Sequence, residues 1–205
     1  PSFGEFIGDS SLDQIYVSEQ GSFNKSNIIS KVEDVNIIVG EFQPIHNGHI
    51  KAAEALKSKN GLPCVFVSII KSNRKYPFSE RSVRILLEKV QQSNPELIKE
   101  VIIVNRNSIK DILKSLKPRF NPTLWGSTSN KIKDYALQLE YIRKKNIPLR
   151  ITDHFKLIEI PKYQDTNDVL DSIKNGNFSK FKDIVPTCIN SEFFNLQKEL
   201  EFFEH

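Results

Sequence analysis

The chain has 205 residues, of which 39% are hydrophobic and 26% charged, so it can build a core and disorder along its whole length is excluded. The net charge of +4 suits an anionic ligand, but without a concentrated basic stripe it argues against nucleic acid as the partner. No run approaches the roughly 20 apolar residues that span a bilayer, so no membrane partner is expected. Because Cys64 and Cys188 are the only cysteines, we expect neither a disulfide framework nor a zinc site, and a cytoplasmic protein.

The N-terminal segment, residues 1–34, is polar and carries few apolar anchors. We expect it to form an arm that docks on a protein partner or on the chain's own domain.

From residue 35 onward, short apolar runs alternate with helical stretches. The runs predict buried strands at residues 35–39, 64–70, 101–104 and 123–125. The stretches predict helices at residues 49–58, 80–92, 108–116 and 129–145. Gly61 and Pro118 stand where helices should end, and Ser79 is a candidate N-cap. Continuous Val/Ile runs indicate a parallel sheet covered on both faces, so residues 35–162 are predicted to form a Rossmann-like, doubly wound α/β domain.

The remaining residues, 163–205, are predicted to form a C-terminal helical extension of short helices. Its last segment is rich in phenylalanine, at Phe193, Phe194, Phe202 and Phe203. These rings either form an apolar helix face for a protein partner or pack onto the protein's own core.

The first strand leads directly into Gly-Glu-Phe-Gln-Pro-Ile-His-Asn-Gly-His at residues 40–49, and a helix follows. A helix N-terminus attracts phosphate because its amides carry about half a positive charge. Gly48 would let a phosphate approach the backbone, while His46 and His49 can donate to the same anion. The segment therefore predicts a nucleotide-phosphate site, the alternative being a purely structural histidine pair.

This segment resembles the HxGH nucleotidyltransferase superfamily, and its local form is similar to the nicotinamide mononucleotide adenylyltransferases, with related sequences in tailed bacteriophages. The resemblance implies transfer of a nucleoside monophosphate from ATP or CTP to a phosphorylated small-molecule acceptor, with Mg²⁺ as cofactor and pyrophosphate as the second product. It also implies that His46 and His49 are catalytic and that no side chain is a dedicated metal ligand. The implied nucleotide contacts are Gly40, Phe42, Gln43, Gly48, Gly126 and Thr166.

Two further segments extend the resemblance, the loop at residues 71–81 and the Leu-Trp-Gly-Ser turn at residues 124–127. The implied acceptor contacts are Lys71, Arg74, Lys75 and Trp125. The alternatives are that the basic loop is only solvated and that the indole packs in the core.

Three departures from the family pattern weaken the expectation of activity. Glu41 replaces an arginine, and it either holds Mg²⁺ or marks a lost phosphate contact. Asp165, Asn167 and Leu170 stand where the resemblance implies Ser, Thr and Arg that grip a triphosphate, although Asp165 alternatively caps a helix. Thr128 replaces an acid. The alternative function is a catalytically degenerate fold that serves as a structural or binding component of an assembly such as a phage particle, located in the host cytoplasm or the virion.

Overall fold

The computed structural model describes residues 31–71, 73–149 and 151–204. The predicted arm lies almost wholly outside these residues, so its docking stays a prediction, as do the domain boundaries. Glu33 and Asp34, assigned to the arm from the sequence, belong to the first strand. In the described part of the chain, no helix has the length and apolar character needed to cross a membrane.

Five parallel strands form one sheet in the order β3-β2-β1-β4-β5. They are β1 (Glu33–Gly40), β2 (Cys64–Ile69), β3 (Ile98–Val104), β4 (Phe120–Ser127) and β5 (Lys156–Glu159). The order reverses beside β1, so β2 and β3 extend the sheet on one side and β4 and β5 on the other. This is the predicted doubly wound α/β fold, in which ligands bind outside the carboxyl ends of the strands at the reversal.

Seven α-helices are seen among the described residues, and a 3₁₀ helix, Thr187–Glu192, precedes the last of them. They are α1 (Asn47–Asn60), α2 (Glu80–Ser93), α3 (Ile109–Leu116), α4 (Ser129–Lys144), α5 (Thr166–Lys174), α6 (Phe178–Ile184) and α7 (Phe193–Glu204). Gly61 and Ser79, which were predicted to lie at helix boundaries, are confirmed in those places. Gly61 terminates α1 with a φ of 76°, and the Ser79 hydroxyl accepts from the amide of Ser82 at 3.2 Å.

The two faces of the sheet bury separate hydrophobic clusters because successive side chains of a strand point to opposite sides. Ile38 and Phe66 pack with α1, α2 and the C-terminal helices, whereas Val39 and Val67 pack with α3 and α4. Helices α5, α6 and α7 thus contribute to the same core as the sheet. Of the C-terminal phenylalanines, Phe193 is buried at 1% exposure.

Near the middle of α7, the carboxylate of Glu199 joins this helix to the N-terminus of α2. Glu199 Oε1 accepts from the amide of Ser79 at 2.6 Å, and Oε2 accepts from the hydroxyl of Ser82 at 2.5 Å. A carboxylate at a helix N-terminus satisfies amides that the helix itself leaves unpaired.

Glu199→Ala is therefore expected to lower the free energy of unfolding by about 1 kcal/mol, since both bonds are lost. Chemical denaturation of the full chain measures this change. Glu201→Ala, at an exposed position of the same helix, is the matched control and should leave the value unaltered. Equal effects of the two substitutions would show that the contact to α2 carries no stability.

Candidate active site

A cavity of about 380 Å³ opens at the carboxyl ends of β1 and β4, beside the N-terminus of α1. The segment between β5 and α5 closes one side of it, at residues 160–165. Both predicted catalytic histidines and all six predicted nucleotide-binding residues line this cavity. The structure therefore brings together residues that lie far apart in the sequence, from Gly40 to Thr166.

The two histidines form a stacked pair at the start of α1, with ring centroids 3.9 Å apart and planes inclined by 25°. His46 Nδ1 accepts from the amide of Gly48, and His49 Nδ1 accepts from the amide of His46, each at 3.1 Å. A neutral imidazole whose Nδ1 accepts carries its proton on Nε2. His46 Nε2 is bonded to the hydroxyl of Thr166 at 3.1 Å. His49 Nε2 has no protein partner among the described residues.

This arrangement corrects one feature of the sequence interpretation. The N-terminus of α1 does not present wholly free amides, because the imidazole of His46 caps the amide of Gly48. The imidazole of His49 also lines the cavity, and its Nε2 is paired with no group of the described residues.

Both imidazoles are held in the neutral state. Burial lowers the pKa of His46 to about 4, and the charge of Asp165 offsets this only in part. Burial, the repulsion that a protonated His46 would exert and the charge of Lys131 hold the pKa of His49 well below its usual range. Neutral imidazoles that donate through Nε2–H suit the stabilisation of negative charge on a phosphate without a proton transfer.

Stability is expected to fall on acidification between about pH 6.5 and pH 4. The unfolded chain takes up a proton at the ordinary histidine pKa of 6.5, whereas folded His46 resists protonation down to about 4. Above pH 6.5, His46 is neutral in both the folded and the unfolded chain, and stability is unaffected. As the pH falls below 6.5, the unfolded chain gains a proton that the folded protein does not bind, and the free energy of unfolding decreases. Of the loss that denaturant unfolding measures between pH 7.5 and pH 5, His46 should account for on the order of 2 kcal/mol.

The control for this pH effect is His46→Asn, because asparagine is a good N-cap that does not titrate. Its loss of stability over the same pH interval should be clearly smaller. An identical loss in both proteins would exclude His46 as the source.

Gly48 is required by close packing. A Cβ at this position would lie 2.8 Å from Gln164 Cβ, 2.8 Å from His46 Cε1 and 2.9 Å from His46 Nδ1. The missing side chain lets the imidazole of His46 and the β5–α5 segment approach the helix. The sequence interpretation assigned this space to a phosphate, and the structure gives it to the protein's own atoms.

The side chains of Phe42 and Gln43 hold the loop between β1 and α1 in place through contacts with the surrounding structure. Phe42 has a φ of 49°, is buried, and packs against His49 with a ring-centroid distance of 4.6 Å. The amide of Gln43 donates to the carbonyl of Phe78 at 2.9 Å and accepts from its N–H at 2.8 Å. Both side chains line the cavity, but the bonds of Gln43 go to the loop after β2, which it holds in place.

Glu41 does not stand alone in the cavity as the sequence suggested. Its carboxylate is paired with Lys131 at 2.5 Å and with Lys71 at 3.3 Å. Burial opposes ionisation, but the charges of the two lysines outweigh it and hold the pKa of Glu41 below its usual range. The expected repulsion of phosphate is therefore compensated by cations from two other segments.

The N-terminus of α5 is capped by the side chain of Asp165. Asp165 Oδ1 accepts from the amide of Asn167 at 2.9 Å, which confirms the helix-cap alternative and lowers the pKa of Asp165. Lys162 lies 3.5 Å from the same carboxylate. Asn167 and Leu170 line the cavity together with Asp165. The three replaced residues therefore lie beside the predicted nucleotide site, where the family resemblance implied contacts to a triphosphate.

The four predicted acceptor residues separate in the structure. Lys75 lines the cavity. Lys71 does not line it and is paired with Glu41. Arg74 lines a separate depression near α5 and α7. Trp125 has no exposed surface and packs against Tyr135 and Phe155 on the far face of the sheet. Its indole is thus a core side chain, which corrects the prediction of an acceptor contact.

The carboxylates present do not fit a resident Mg²⁺. Within residues 31–71, 73–149 and 151–204, no group of three or more metal-ligating side chains occurs. Proteins usually hold Mg²⁺ through one or two carboxylates together with water and substrate phosphates, so an unpaired carboxylate is the feature to look for. Glu41 is bonded to two ammonium groups, and Asp165 is bonded to an amide beside Lys162. The alternative that Glu41 holds Mg²⁺ therefore finds no support in this geometry.

Among the residues of the cavity wall that were missed from the sequence are Lys131, Lys162 and Gln164. Lys131 lies in the first turn of α4, directly after the predicted strand-four turn. Its place beside the carboxyl end of β4, where ligands bind in this type of sheet, would have pointed to it. Lys162 and Gln164 lie in an irregular segment for which no periodicity gave a signal.

A parallel sheet whose strand order reverses beside the N-terminus of a helix places this chain in the doubly wound α/β class, which binds ligands at that point. Residues 37–169 match the cytidylyltransferase-like family, and the chain belongs to this family within the HxGH nucleotidyltransferase superfamily. The resemblance to this superfamily is thereby confirmed, whereas the relation to tailed bacteriophages stays a prediction. A sequence comparison with curated proteins finds no match.

Solved structures share the fold at low sequence identity. A protein assigned as a nicotinate-nucleotide adenylyltransferase from Vibrio parahaemolyticus has a TM-score of 0.55 at 14% identity, covering 85% of this chain and 98% of its own. Nicotinic acid mononucleotide adenylyltransferase of Plasmodium falciparum, in complex with NaAD, has a TM-score of 0.54 at 18% identity, covering 81% and 98%. TmcAL of Thermotoga maritima, bound with α-thio ATP, has a TM-score of 0.51 at 11% identity, covering 83% and 56%. At these identities the likeness establishes the fold.

Proposed function

We propose that the protein transfers a nucleoside monophosphate from ATP or CTP to a phosphorylated small-molecule acceptor and releases pyrophosphate. The observation that carries the proposal is the imidazole of His49, which lines the cavity at the start of α1 with Nε2 unpaired by the described protein. Family membership supports the reaction class.

In this reaction an oxygen of the acceptor phosphate attacks the α-phosphorus of the nucleotide. A new P–O bond forms, and the bond to the bridging oxygen breaks, so that pyrophosphate leaves with the electron pair. No covalent enzyme intermediate is required. His49 donates its Nε2–H to the charge that develops on the phosphates, and His46 holds it in place through its backbone amide. His46 itself can donate to the ligand only by exchanging its bond to Thr166.

The triphosphate is proposed to bring its own Mg²⁺ as part of the substrate. Gly40, Phe42, Gly48 and Gly126 would shape the nucleotide pocket, and Lys75 is the predicted acceptor residue that remains in the lining. Because the fold neighbours from Plasmodium falciparum and Thermotoga maritima were determined with NaAD and α-thio ATP, adenine nucleotides are the first ligands to test.

A catalytically degenerate fold that serves as a structural or binding component of an assembly is the second candidate. It is favoured by the N-terminus of α5, where Asp165 caps the helix in place of a triphosphate contact. Exposed rings on α7, Phe194 at 66% and Phe202 at 82%, offer apolar surface for a protein partner. This candidate predicts a folded chain that does not turn over.

Calorimetric titration with ATP·Mg²⁺ and CTP·Mg²⁺, followed by a pyrophosphate-release assay, distinguishes the two candidates. The acceptor panel should include nicotinic acid mononucleotide and nicotinamide mononucleotide beside other phosphorylated small molecules. Binding with pyrophosphate release supports the transferase. Nucleotide binding without release from any acceptor favours the degenerate fold, and no binding of either nucleotide contradicts the proposal.

A further inference from the structure

Glu41, Lys71 and Lys131 form what we call the Glu41 cluster. In this cluster the carboxylate is more deeply buried than either ammonium group. The side chain of Glu41 is 11% exposed, against 38% for Lys71 and 32% for Lys131. One carboxylate and two ammonium groups leave one net positive charge. An anion that approaches from solvent therefore meets ammonium groups before it meets the carboxylate, and the cluster attracts phosphate.

Lys131 is the cation of this cluster that belongs to the cavity. Lys131 and Glu41 both line it, whereas Lys71 does not and its ammonium lies 5.0 Å from the ring centroid of Tyr76. The charge of Lys131 also reaches His49, because it contributes to lowering the pKa of that imidazole. Helices α1 and α4 thus bring a hydrogen-bond donor and a cation to the same cavity.

We propose that the ammonium of Lys131 contacts a phosphate of the bound ligand and that Glu41 is a positioning residue that holds Lys131 for this contact. The inference rests on the proposed function, whose phosphate site it completes. A lysine side chain loses much rotamer freedom when it is fixed, and a ligand that must order it binds more weakly. The contact with Glu41 orders Lys131 before the ligand arrives.

Inorganic pyrophosphate is the probe, titrated calorimetrically into the full chain. Lys131→Gln is expected to raise its Kd about tenfold or more, since a charge-assisted contact is lost. Lys133→Gln is the matched control, because Lys133 is an exposed residue of the same helix outside the cavity lining, and should stay within about twofold of the wild type. Lys131→Arg keeps the charge and should retain most of the affinity, which separates loss of the contact from misfolding.

The role of Glu41 is tested by a double-mutant cycle. Removing an acid from a phosphate site should tighten binding if the acid merely repels the ligand. As a positioning residue, Glu41 has the opposite signature: Glu41→Ala should weaken pyrophosphate binding about threefold or more, and Glu41→Asp should restore part of it. In the Lys131→Gln background, Glu41→Ala should have no effect on Kd. Tighter binding by Glu41→Ala would overturn the positioning role.

The outcomes separate this inference from the proposed function. If the wild type binds pyrophosphate or ATP·Mg²⁺ and Lys131→Gln binds equally well, the contact of Glu41 with Lys131 is only an ion pair between the loop after β1 and α4. The inference then fails while the function stands. If the wild type binds neither of these ligands nor CTP·Mg²⁺, the proposed function fails and this inference fails with it.

Discussion

Replacing His49 by alanine is expected to lower kcat about 100- to 1000-fold in the pyrophosphate-release assay, at saturating nucleotide and acceptor. The substitution removes a preorganised Nε2–H donor from a site where negative charge develops, and losses of this size follow the removal of one such donor. The effect should fall mainly on kcat, because charge grows toward the transition state.

His154→Ala is the matched control for this experiment. His154 is exposed, lies before β5 and is not part of the cavity lining, so its removal should leave turnover at the wild-type level. Unchanged turnover in His49→Ala would remove the catalytic role assigned to this imidazole. The stacked histidines would then be a structural cap of α1, which is the alternative that the sequence left open.

The sheet could be predicted because its central strands carry an unambiguous signal. β1 and β2 are short runs rich in Val and Ile that are buried along most of their length, and Gly61 ends the helix between them. β5 carried a weaker signal, since only Leu157 and Ile158 lie between its charged ends, Lys156 and Glu159. Four residues with two apolar positions fit neither a strand nor a helix template.

The position of Trp125 could have been deduced from strand geometry. Gly126 was expected to line the site, and neighbouring residues of a strand point to opposite faces of the sheet. The side chain of Trp125 therefore had to leave the site for the other core, where Tyr135 and Phe155 surround it. The family resemblance suggested a ring contact, but the two-residue period of the strand determined the outcome.

The pairing of Glu41 with Lys131 could not be deduced from the sequence. Ninety positions separate the two residues, and they meet because β4 lies beside β1 in the sheet. The strand order depends on how all the helices cover the sheet, which local pattern does not encode. A substitution that appears to place an acid against phosphate is thus offset by a cation from another element. At α5 the structure shows a weaker compensation, because the carboxylate of Asp165 caps the helix and Lys162 is its one ion-pair partner among the described residues.

Gly48→Ala is expected to damage both the stability and the activity of the protein. The added Cβ would lie 2.8 Å from Gln164 Cβ and from His46 Cε1, and neither atom is the free end of a flexible side chain. Forcing these groups apart should lower the free energy of unfolding by about 1–3 kcal/mol.

The same displacement should reduce kcat/KM about 100-fold, because His46 caps α1, bonds Thr166 and orients His49 through its amide. Denaturant unfolding and pyrophosphate release measure the two effects. Gly40→Ala is the matched control for stability, since its nearest contact would be an ordinary 3.7 Å to the Phe42 ring, and it should unfold within about 0.5 kcal/mol of the wild type. A stable and active Gly48→Ala protein would mean that the β5–α5 segment can retreat from α1 at little cost, and that the stacked imidazoles do not depend on its close approach.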